Sequence, residues 1–410
     1  MFTRVWPTGI TNNTPAGGPQ LTQLDINVAS KLLDGGAGGK VSPTSIIKVS
    51  GAGLQISENA DDAAFVTTGA KWLGAVMDLR PVDSTFSNFA IRQFDDISGQ
   101  TDGLLVAVDG SANASLRLST DGGASWQLPS PLTGFGANSF GCCAGSSSGA
   151  AIGAGVTIFG GTNGQCRYAD LATSAFSTSL GLVASTLTLP GSPTRIDRIV
   201  YDQVHNQFVA IGATAGAPYL CTITNATIPV ATQRTVPAAI TGSNVGLSIS
   251  QNPVTGRMIA TWANQTKIAY SDDGITWTAS TSALAGGFLL AWGDGVFIAL
   301  SVTTSGAFVS TDGSTWSTSG VTRPGGASIF PSSRGFAACN GCLVVGYDTG
   351  TLYFSVDRGA TWVASQSLIR TTSHGFSRIG AIVARDGRLY VGASDPSGSA
   401  ASYITRSTRL

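Results

Sequence analysis

The sequence predicts an all-β fold: a seven-bladed β-propeller of four-stranded antiparallel blades, preceded by an irregular N-terminal arm. Three observations support this prediction. Apolar residues occur in short runs of strand length, hairpin-type dipeptides separate many of these runs, and one strand–turn–strand unit recurs along most of the chain. The abundance of Gly, 53 of 410 residues, fits a fold with many tight turns.

The first recurring element is a hairpin of two apolar strands. Its clearest turns are the dipeptides Asp294-Gly295, Asn340-Gly341 and Asp386-Gly387, which favour two-residue hairpin connections. Seven second strands can be counted, at Leu104, Val156, Phe208, Met258, Val296, Leu343 and Leu389. They are 38 to 52 residues apart, which fits the length of a four-stranded propeller blade.

The second recurring element is a turn that follows the third strand of a unit. Four segments share it: Ser119-Thr-Asp121-Gly-Gly123-Ala-Ser-Trp126, Ser271-Asp-Asp273-Gly274-Ile-Thr-Trp277, Ser310-Thr-Asp312-Gly313-Ser-Thr-Trp316 and Ser355-Val-Asp357-Arg-Gly359-Ala-Thr-Trp362. Asp bonds the backbone of such a turn and Gly accepts positive φ. The Trp begins the fourth strand and is expected to be a buried wedge between sheets.

These segments resemble the Asp-box, or BNR, repeat of sialidases and other propeller proteins. The resemblance covers the chain from about Lys71 to the C-terminus. It implies that the box turns lie at the rim of the propeller, away from its central site, and that their Asp, Gly and Trp residues are structural.

The seventh unit ends before its fourth strand, because the chain stops at Leu410, shortly after the strand Tyr403-Ile-Thr-Arg406. An open ring would leave a bare sheet edge. Trp72 precedes the first unit at the spacing of a box Trp, so we expect an N-terminal strand near Trp72 to complete the last blade. The predicted domains are a docking arm over residues 1–68 and a propeller over residues 69–410.

The arm contains one short amphipathic run and one predicted strand and turn. Leu21, Leu24, Val28 and Leu32 share one face of a helix that ends at Asp34-Gly35, and residues 45–54 predict the strand and turn. The succession Leu24-Asp25-x-Asn27, Leu33-Asp34-Gly35, Ile46 and Gly51-x-Gly53-Leu54 resembles the N-terminal part of tailed-bacteriophage virion proteins, especially tail fibre and appendage proteins. An ordinary flexible leader is the alternative interpretation.

The phage resemblance implies a location and a set of partners. The protein is expected to be made in the host cytoplasm without a signal peptide and to be assembled into the virion. Its arm docks on other virion proteins, its copies form a homo-oligomer, and its propeller projects outward, where a host-surface glycan is a further candidate partner for host attachment.

Composition excludes several other functions. Net charge is zero, from 23 basic and 23 acidic residues, and no basic run predicts nucleic-acid binding. No apolar stretch is long enough for membrane insertion. Among the six cysteines only Cys339 and Cys342 have a metal-like spacing, without a second pair, so we expect no metal, no cofactor and reduced thiols on facing hairpin strands.

The sequence does not predict an enzyme. A sialidase resemblance would imply a Tyr nucleophile activated by Glu, an Asp acid/base and three Arg. The only Glu is Glu58, in the arm, and the expected Arg-Ile-Pro feature is replaced by Pro193-Thr-Arg195-Ile196-Asp197. A pair of Asp residues remains possible chemistry for glycoside hydrolysis, but no motif selects one.

Binding is the remaining class of function. Long loops between blades are predicted over residues 127–139, 171–194 and 317–334. The candidate ligand face consists of Arg195, Arg323, Arg334, Arg370, His374 and Arg378, because Arg suits bidentate contact with carboxylate or phosphate. The alternative is that these are solvated surface side chains. Two functions remain open: a virion structural protein, or a non-viral Asp-box lectin or assembly factor that binds glycans or proteins.

Overall fold

The computed structural model describes residues 47–50, 53–56, 91–96, 105–109, 116–119, 132–134, 140–146, 155–161, 163–170, 182–241, 245–284, 286–324, 335–339, 342–347, 351–364, 378–385, 388–394 and 403–406. The chain divides into two compact units, Met1–Val76 and Met77–Leu410. The first unit contributes one hairpin to the described residues, and the second contributes all the other strands.

The hairpin of the first unit consists of β1 (Ile47–Ser50) and β2 (Gly53–Ile56). The two strands pair antiparallel, from Ile47 opposite Ile56 to Ser50 opposite Gly53. The strand predicted within residues 45–54 is therefore confirmed, while residues 51 and 52 of the predicted turn lie outside the described residues. The predicted helix with Leu21, Leu24, Val28 and Leu32 lies outside the described residues, as does Trp72.

Three sheets form from consecutive segments in the first part of the second unit. Sheet one contains β3 (Ile91–Asp96), β4 (Leu105–Asp109) and β5 (Leu116–Ser119). Sheet two contains β6 (Leu132–Thr133), β7 (Phe140–Gly145), β8 (Val156–Gly161), β9 (Cys166–Asp170) and β10 (Leu182–Leu187). Sheet three contains β11 (Arg195–Asp202), β12 (Gln207–Thr214), β13 (Ala217–Thr224) and β14 (Ala231–Gln233). All pairs are antiparallel except β6 with β10 at the edge of sheet two.

Four sheets follow in the same manner. Sheet four contains β15 (Gly246–Gln251), β16 (Met258–Trp262), β17 (Ala269–Ser271) and β18 (Thr278–Ala279). Sheet five contains β19 (Phe288–Gly293), β20 (Val296–Ser301) and β21 (Ala307–Ser310). Sheet six contains β22 (Phe336–Cys339), β23 (Cys342–Gly346), β24 (Leu352–Ser355) and β25 (Val363–Ala364). Sheet seven contains β26 (Arg378–Arg385), β27 (Arg388–Ser394) and β28 (Tyr403–Arg406).

The predicted hairpins are confirmed as antiparallel strand pairs, which are the first two strands of each sheet except sheet two, where they are β7 and β8. Six of the seven counted residues lie in second strands, and β4 begins directly after Leu104. In the turn between β19 and β20, Asp294 and Gly295 have φ of 50° and 80°, as a two-residue turn with both central residues at positive φ requires. Cys339 and Cys342 are directly opposite each other in the register of β22 and β23, as predicted.

Consecutive sheets pack face to face through shared apolar cores. One core joins Ile158 of sheet two to Ile199 of sheet three, and the next joins Ile211 of sheet three to Trp262 of sheet four. Two more join sheet four to sheet five and sheet five to sheet six. Sheets three, four and five thus bury apolar side chains on both faces.

One strand of each sheet, the first strand of its hairpin, meets the neighbouring sheets most regularly. β3, β7, β11, β15, β19, β22 and β26 lie beside one another in that order, and β26 also lies beside β3. All seven strands belong to the second unit. Five of them line the candidate site.

Candidate functional site

A serine hydroxyl organises each of the three described box turns, residues 271–277, 310–316 and 355–362. Ser271, Ser310 and Ser355 end the third strands of their sheets and are buried. Each Oγ accepts a hydrogen bond from the N–H of the box Gly, at 2.9, 2.7 and 2.8 Å. Each also donates to Oδ1 of the box Asp, at 3.0, 2.9 and 2.8 Å. The fourth box is described only at Ser119, which is buried at the end of β5.

The box Asp closes the turn through its carboxylate. In Asp312, Oδ1 accepts from the N–H groups of Ser314 and Thr315 at 2.8 Å, and Oδ2 accepts from the Thr315 hydroxyl at 2.6 Å. Partial burial raises the pKa of Asp312, but these hydrogen bonds outweigh burial and lower the pKa to about 2. The pKa of Asp273 and of Asp357 is lowered by the same kind of bonding against the same opposing effect of burial.

The box Gly and the box Trp form the second half of each turn. Gly313 has φ of +69°, and a Cβ placed there would lie 2.8 Å from Cγ2 of Ile259 in the preceding sheet, so both backbone and packing favour Gly. The indole Nε1 of each Trp donates to the carbonyl of its box Gly, at 2.8 to 3.1 Å. β18 and β25 begin directly after Trp277 and Trp362, as predicted.

The three described Trp side chains differ in burial. Trp277 is only 8% exposed and belongs to the core between sheets three and four. Trp316 and Trp362 are only partly buried and pack at the edges of the following two cores. Trp316 and Trp362 are therefore less buried than Trp277, although all three contact a core between sheets.

Each described box turn is also tied to the preceding sheet. Gln207 Nε2 donates to the Asp273 carbonyl and an Arg257 Nη donates to the Asp312 carbonyl, both at 2.7 Å. Arg358 Nε donates to Asp294 Oδ2 at 2.6 Å, which joins the box turn of sheet six to the hairpin of sheet five. Carboxylate, hydroxyl and indole groups of these turns are thus engaged in structure.

A cavity of about 120 Å³ lies among the first strands. Residues of β11, β15, β19, β22 and β26 line it. Most of the lining is aliphatic or aromatic, including Ile249, Leu290, Phe336 and Ile382. The polar side chains among the lining residues are those of Arg198 and Ser248.

Arg198 places a positive charge at this cavity, and the residue is buried, at only 8% exposed. Its guanidinium donates to the carbonyl oxygen of Asp197 at 2.9 Å. The Asp197 carboxylate instead accepts from Arg195 Nε at 2.7 Å and from the N–H of Gly246 at 2.8 Å. Within the described residues no carboxylate forms an ion pair with Arg198.

Sequence reasoning missed Arg198, although a signal was present. It lies in the first strand of a hairpin, directly before the apolar residues Ile199 and Val200. First strands line the centre of the arrangement, so a charge there differs from a charge in a connecting loop. A register shift between Ile196 and Arg198 places it beside a β-bulge, a feature frequent near functional sites.

The predicted Arg-rich ligand face is described only in part. Arg195 is paired with Asp197, and Arg323 donates to the carbonyl oxygen of Thr304. Arg378 begins β26, but its side chain is not among those described. Arg334, Arg370 and His374 lie outside the described residues, so this face stays a prediction.

Five cysteine side chains are buried: Cys142, Cys143, Cys166, Cys221 and Cys342. Burial raises the pKa of Cys166, and it raises that of Cys221 to about 12, so both are protonated. Over the described ranges, no group of three or more His, Cys, Asp or Glu is positioned to hold a metal ion. In the same ranges no helix has the length and apolarity needed to cross a membrane.

Comparison with known proteins identifies the architecture. No family model matches the chain, and no curated protein matches it. Among solved structures, the WD40 β-propeller domain of Doa1 aligns with a TM-score of 0.53 at 11% identity, over 81% of this chain and 98% of that one. The fold is a β-propeller.

A second propeller neighbour is YCF48 bound to D1 peptide, with a TM-score of 0.52 at 14% identity, over 81% of this chain and 96% of that one. The computationally designed protein Ika8 aligns with a TM-score of 0.49 at 13% identity, over 77% of this chain and 83% of that one. At such identities the likeness extends to fold alone. Antiparallel sheets of this kind are the blades of a propeller, and strands of five of them line the cavity at Arg198.

Proposed function

We propose that this chain is a non-catalytic structural protein of a tailed-bacteriophage virion, a tail fibre or appendage component. Its propeller has seven blades, because seven first strands are neighbours in chain order and β26 lies beside β3. That adjacency is the main observation in support of the propeller body, whose neighbouring first strands all lie in the second unit.

We also propose that the box turns are Asp boxes. Support comes from the common pattern in three turns, in which the Ser hydroxyl bonds the Asp carboxylate and the Gly N–H, and the Trp indole bonds the Gly carbonyl. Their Asp side chains have a structural role that explains their presence without catalysis. A purified protein is therefore expected to leave a fluorogenic sialoside intact, and turnover that is lost on substitution of a propeller Asp or Tyr would contradict the proposal.

The virion assignment rests on the arm. Its sequence resembles the N-terminal part of phage tail fibre and appendage proteins, and the hairpin of β1 and β2 falls where that resemblance has its Gly-x-Gly-Leu segment. We propose that Leu21, Leu24, Val28 and Leu32 form the apolar face that docks on other virion proteins or on copies of this chain. The propeller then projects outward, with a host-surface glycan as a candidate ligand.

Complementation of a phage that lacks the gene tests this assignment. A chain without residues 1–60 should yield a soluble propeller that no longer enters particles. The double substitution Leu21→Asp and Leu24→Asp should also prevent incorporation, because it places charge on the predicted docking face. Thr22→Asp with Gln23→Asp adds the same charge on other faces of the helix and should incorporate normally.

Three results would contradict the proposed docking role of the arm. Normal copy number of the shortened chain in particles would mean that the propeller itself docks. Equal incorporation of both double variants would remove the apolar face from the interface. A gene neighbourhood without portal or tail genes would argue against the virion.

A non-viral lectin or assembly factor is the second candidate. The cavity at Arg198 favours it, since a buried charge in a central channel suits ligand binding. YCF48, a neighbour in fold, has been solved with a bound peptide, so a propeller of this general shape accommodates one. Binding of a glycan or peptide by the propeller with no role in particle assembly would favour this candidate.

A further inference from the structure

The cavity contains a charge that no carboxylate of the described residues neutralises. Arg198 is 8% exposed and lines the cavity, and within the described part of the chain its guanidinium bonds the neutral carbonyl oxygen of Asp197 at 2.9 Å. Arginine remains protonated at physiological pH, so it cannot relieve burial by losing its proton. A buried charge without a counter-charge is unfavourable.

The nearest carboxylate is already used elsewhere. Asp197 pairs with Arg195, whose Nε lies 2.7 Å from Oδ1, while Oδ2 accepts the N–H of Gly246 in the next blade at 2.8 Å. Asp197 is buried, at 3% exposed, so its carboxylate is held between these partners. The counter-ion for Arg198 must therefore come from outside the described residues.

The lining indicates the kind of counter-ion. Around Arg198 the cavity presents Ile249, Leu290, Phe336 and Ile382, which favour an apolar group next to the charge. Ser248 also lines the cavity, and its Oγ accepts the N–H of Leu290 at 3.0 Å, so its hydroxyl hydrogen can donate to an anion. One guanidinium and one hydroxyl suit a singly charged, planar acceptor.

We propose that Arg198 binds the carboxylate of a ligand whose short branched apolar tail packs on the aliphatic lining of the central cavity. The cavity volume of about 120 Å³ is large enough for several water molecules or for a short-chain carboxylate. Such a carboxylate has two sources: a free short-chain acid, or the C-terminus of a protein chain that ends in an aliphatic residue. The site needs the propeller alone, so its test is independent of the arm and of the virion.

Probes with and without charge distinguish this proposal from nonspecific apolar binding. Isovalerate should raise the melting temperature of the full-length protein in a concentration-dependent manner, since a ligand of the folded state stabilises it. Isovaleramide, its neutral isostere, should not. Acetyl-Gly-Gly-Leu with a free C-terminal carboxylate, compared with the same peptide as its carboxamide, shows whether a chain terminus also enters.

Variants assign the effect to Arg198. Arg198→Met should weaken binding of isovalerate at least about tenfold, and Arg198→Lys should give a smaller loss, because Lys retains charge without the bidentate fork. Arg234→Gln is the matched control: it removes one positive charge from the same blade, directly after β14, where its Nε donates to Thr222 at 2.8 Å. That variant should bind as the parent does.

Stability without ligand separates a binding role from a structural one. If Arg198 awaits a ligand, Arg198→Met should melt at or above the temperature of the parent, because it removes an unpaired buried charge. If Arg198→Met fails to fold, the comparison of Arg198→Lys with Arg234→Gln still measures the affinity loss. The proposal is overturned if neither isovalerate nor the free-carboxylate peptide binds, if the amides bind equally well, or if Arg198→Met and Arg198→Lys both bind as tightly as Arg234→Gln.

Discussion

Arg257 Nη1 donates a hydrogen bond to the main-chain oxygen of Asp312, 2.7 Å away in the box turn of the next blade. The same guanidinium pairs with Asp272 of its own blade through two contacts of 2.5 Å. Gln207 makes the corresponding bond to Asp273 one blade earlier. The box turn therefore connects adjacent blades as well as two strands of one blade.

Replacement of Arg257 tests this connection between blades. Arg257→Met should lower the free energy of unfolding by roughly 1–2 kcal/mol, because it removes a charge-assisted bond to a carbonyl in a partly buried position. Asp272→Asn is the control, since it removes the ion pair alone, and Asp272 is 64% exposed at its side chain. That exposed pair should be worth about 0.5 kcal/mol in denaturant unfolding. Equal losses in the two variants would mean that the bond to Asp312 adds nothing.

The lowered pKa of Asp312 predicts a pH dependence. In the folded state the pKa of Asp312 is about 2, below the value of 3.8 for an unperturbed Asp. The ionised carboxylate of Asp312 therefore stabilises the folded state fully when the pH is above 3.8. The contribution is lost as pH falls through about 4 towards 2. Asp312→Asn should therefore be less stable than the parent by roughly 1–2 kcal/mol at about pH 7, and the difference should shrink below about pH 3. A difference that is constant with pH would assign the loss to packing instead.

The unequal burial of the box tryptophans predicts unequal losses of stability. Trp277→Ala should cost about 3–5 kcal/mol, as other large core aromatics do. Trp316→Ala should lower the free energy of unfolding by about half as much, because the Trp316 ring is only partly buried. Both Trp side chains make the same indole hydrogen bond to their box Gly. Chemical denaturation of the two variants gives the comparison, and equal losses would show that exposure of the ring is not what matters.

Completion of the last blade by the segment near Trp72 stays a prediction. A chain that begins at residue 68 should unfold cooperatively, whereas one that begins at residue 85 should aggregate through the open edge of β28. Trp72→Ala in the full chain should lower the melting temperature without that aggregation. Equal solubility and melting of the two shortened chains would place the closing strand elsewhere.

Local patterns in the sequence indicated the hairpins and the box turns, but they missed β6 and β10, which lie within the loops predicted over residues 127–139 and 171–194. Positive φ at Asp294 and Gly295, and the Ser–Asp–Gly bonding of the box turns, depend on residues a few positions apart. Such geometry is set by side chains that bond their own backbone, and the residue types alone indicate it. Alternation of apolar residues likewise indicated the hairpins.

The order of the sheets, the burial of individual side chains and the central site were decided by tertiary structure. Trp277 and Trp316 have the same local sequence context but different burial, because burial depends on the neighbouring blade. Arg195 and Arg198 are three residues apart in the same strand. The Asp197 carboxylate nevertheless pairs with Arg195 alone, and Arg198 lines the cavity. That cavity is formed by strands from five separate segments of the chain, so no local pattern could indicate it.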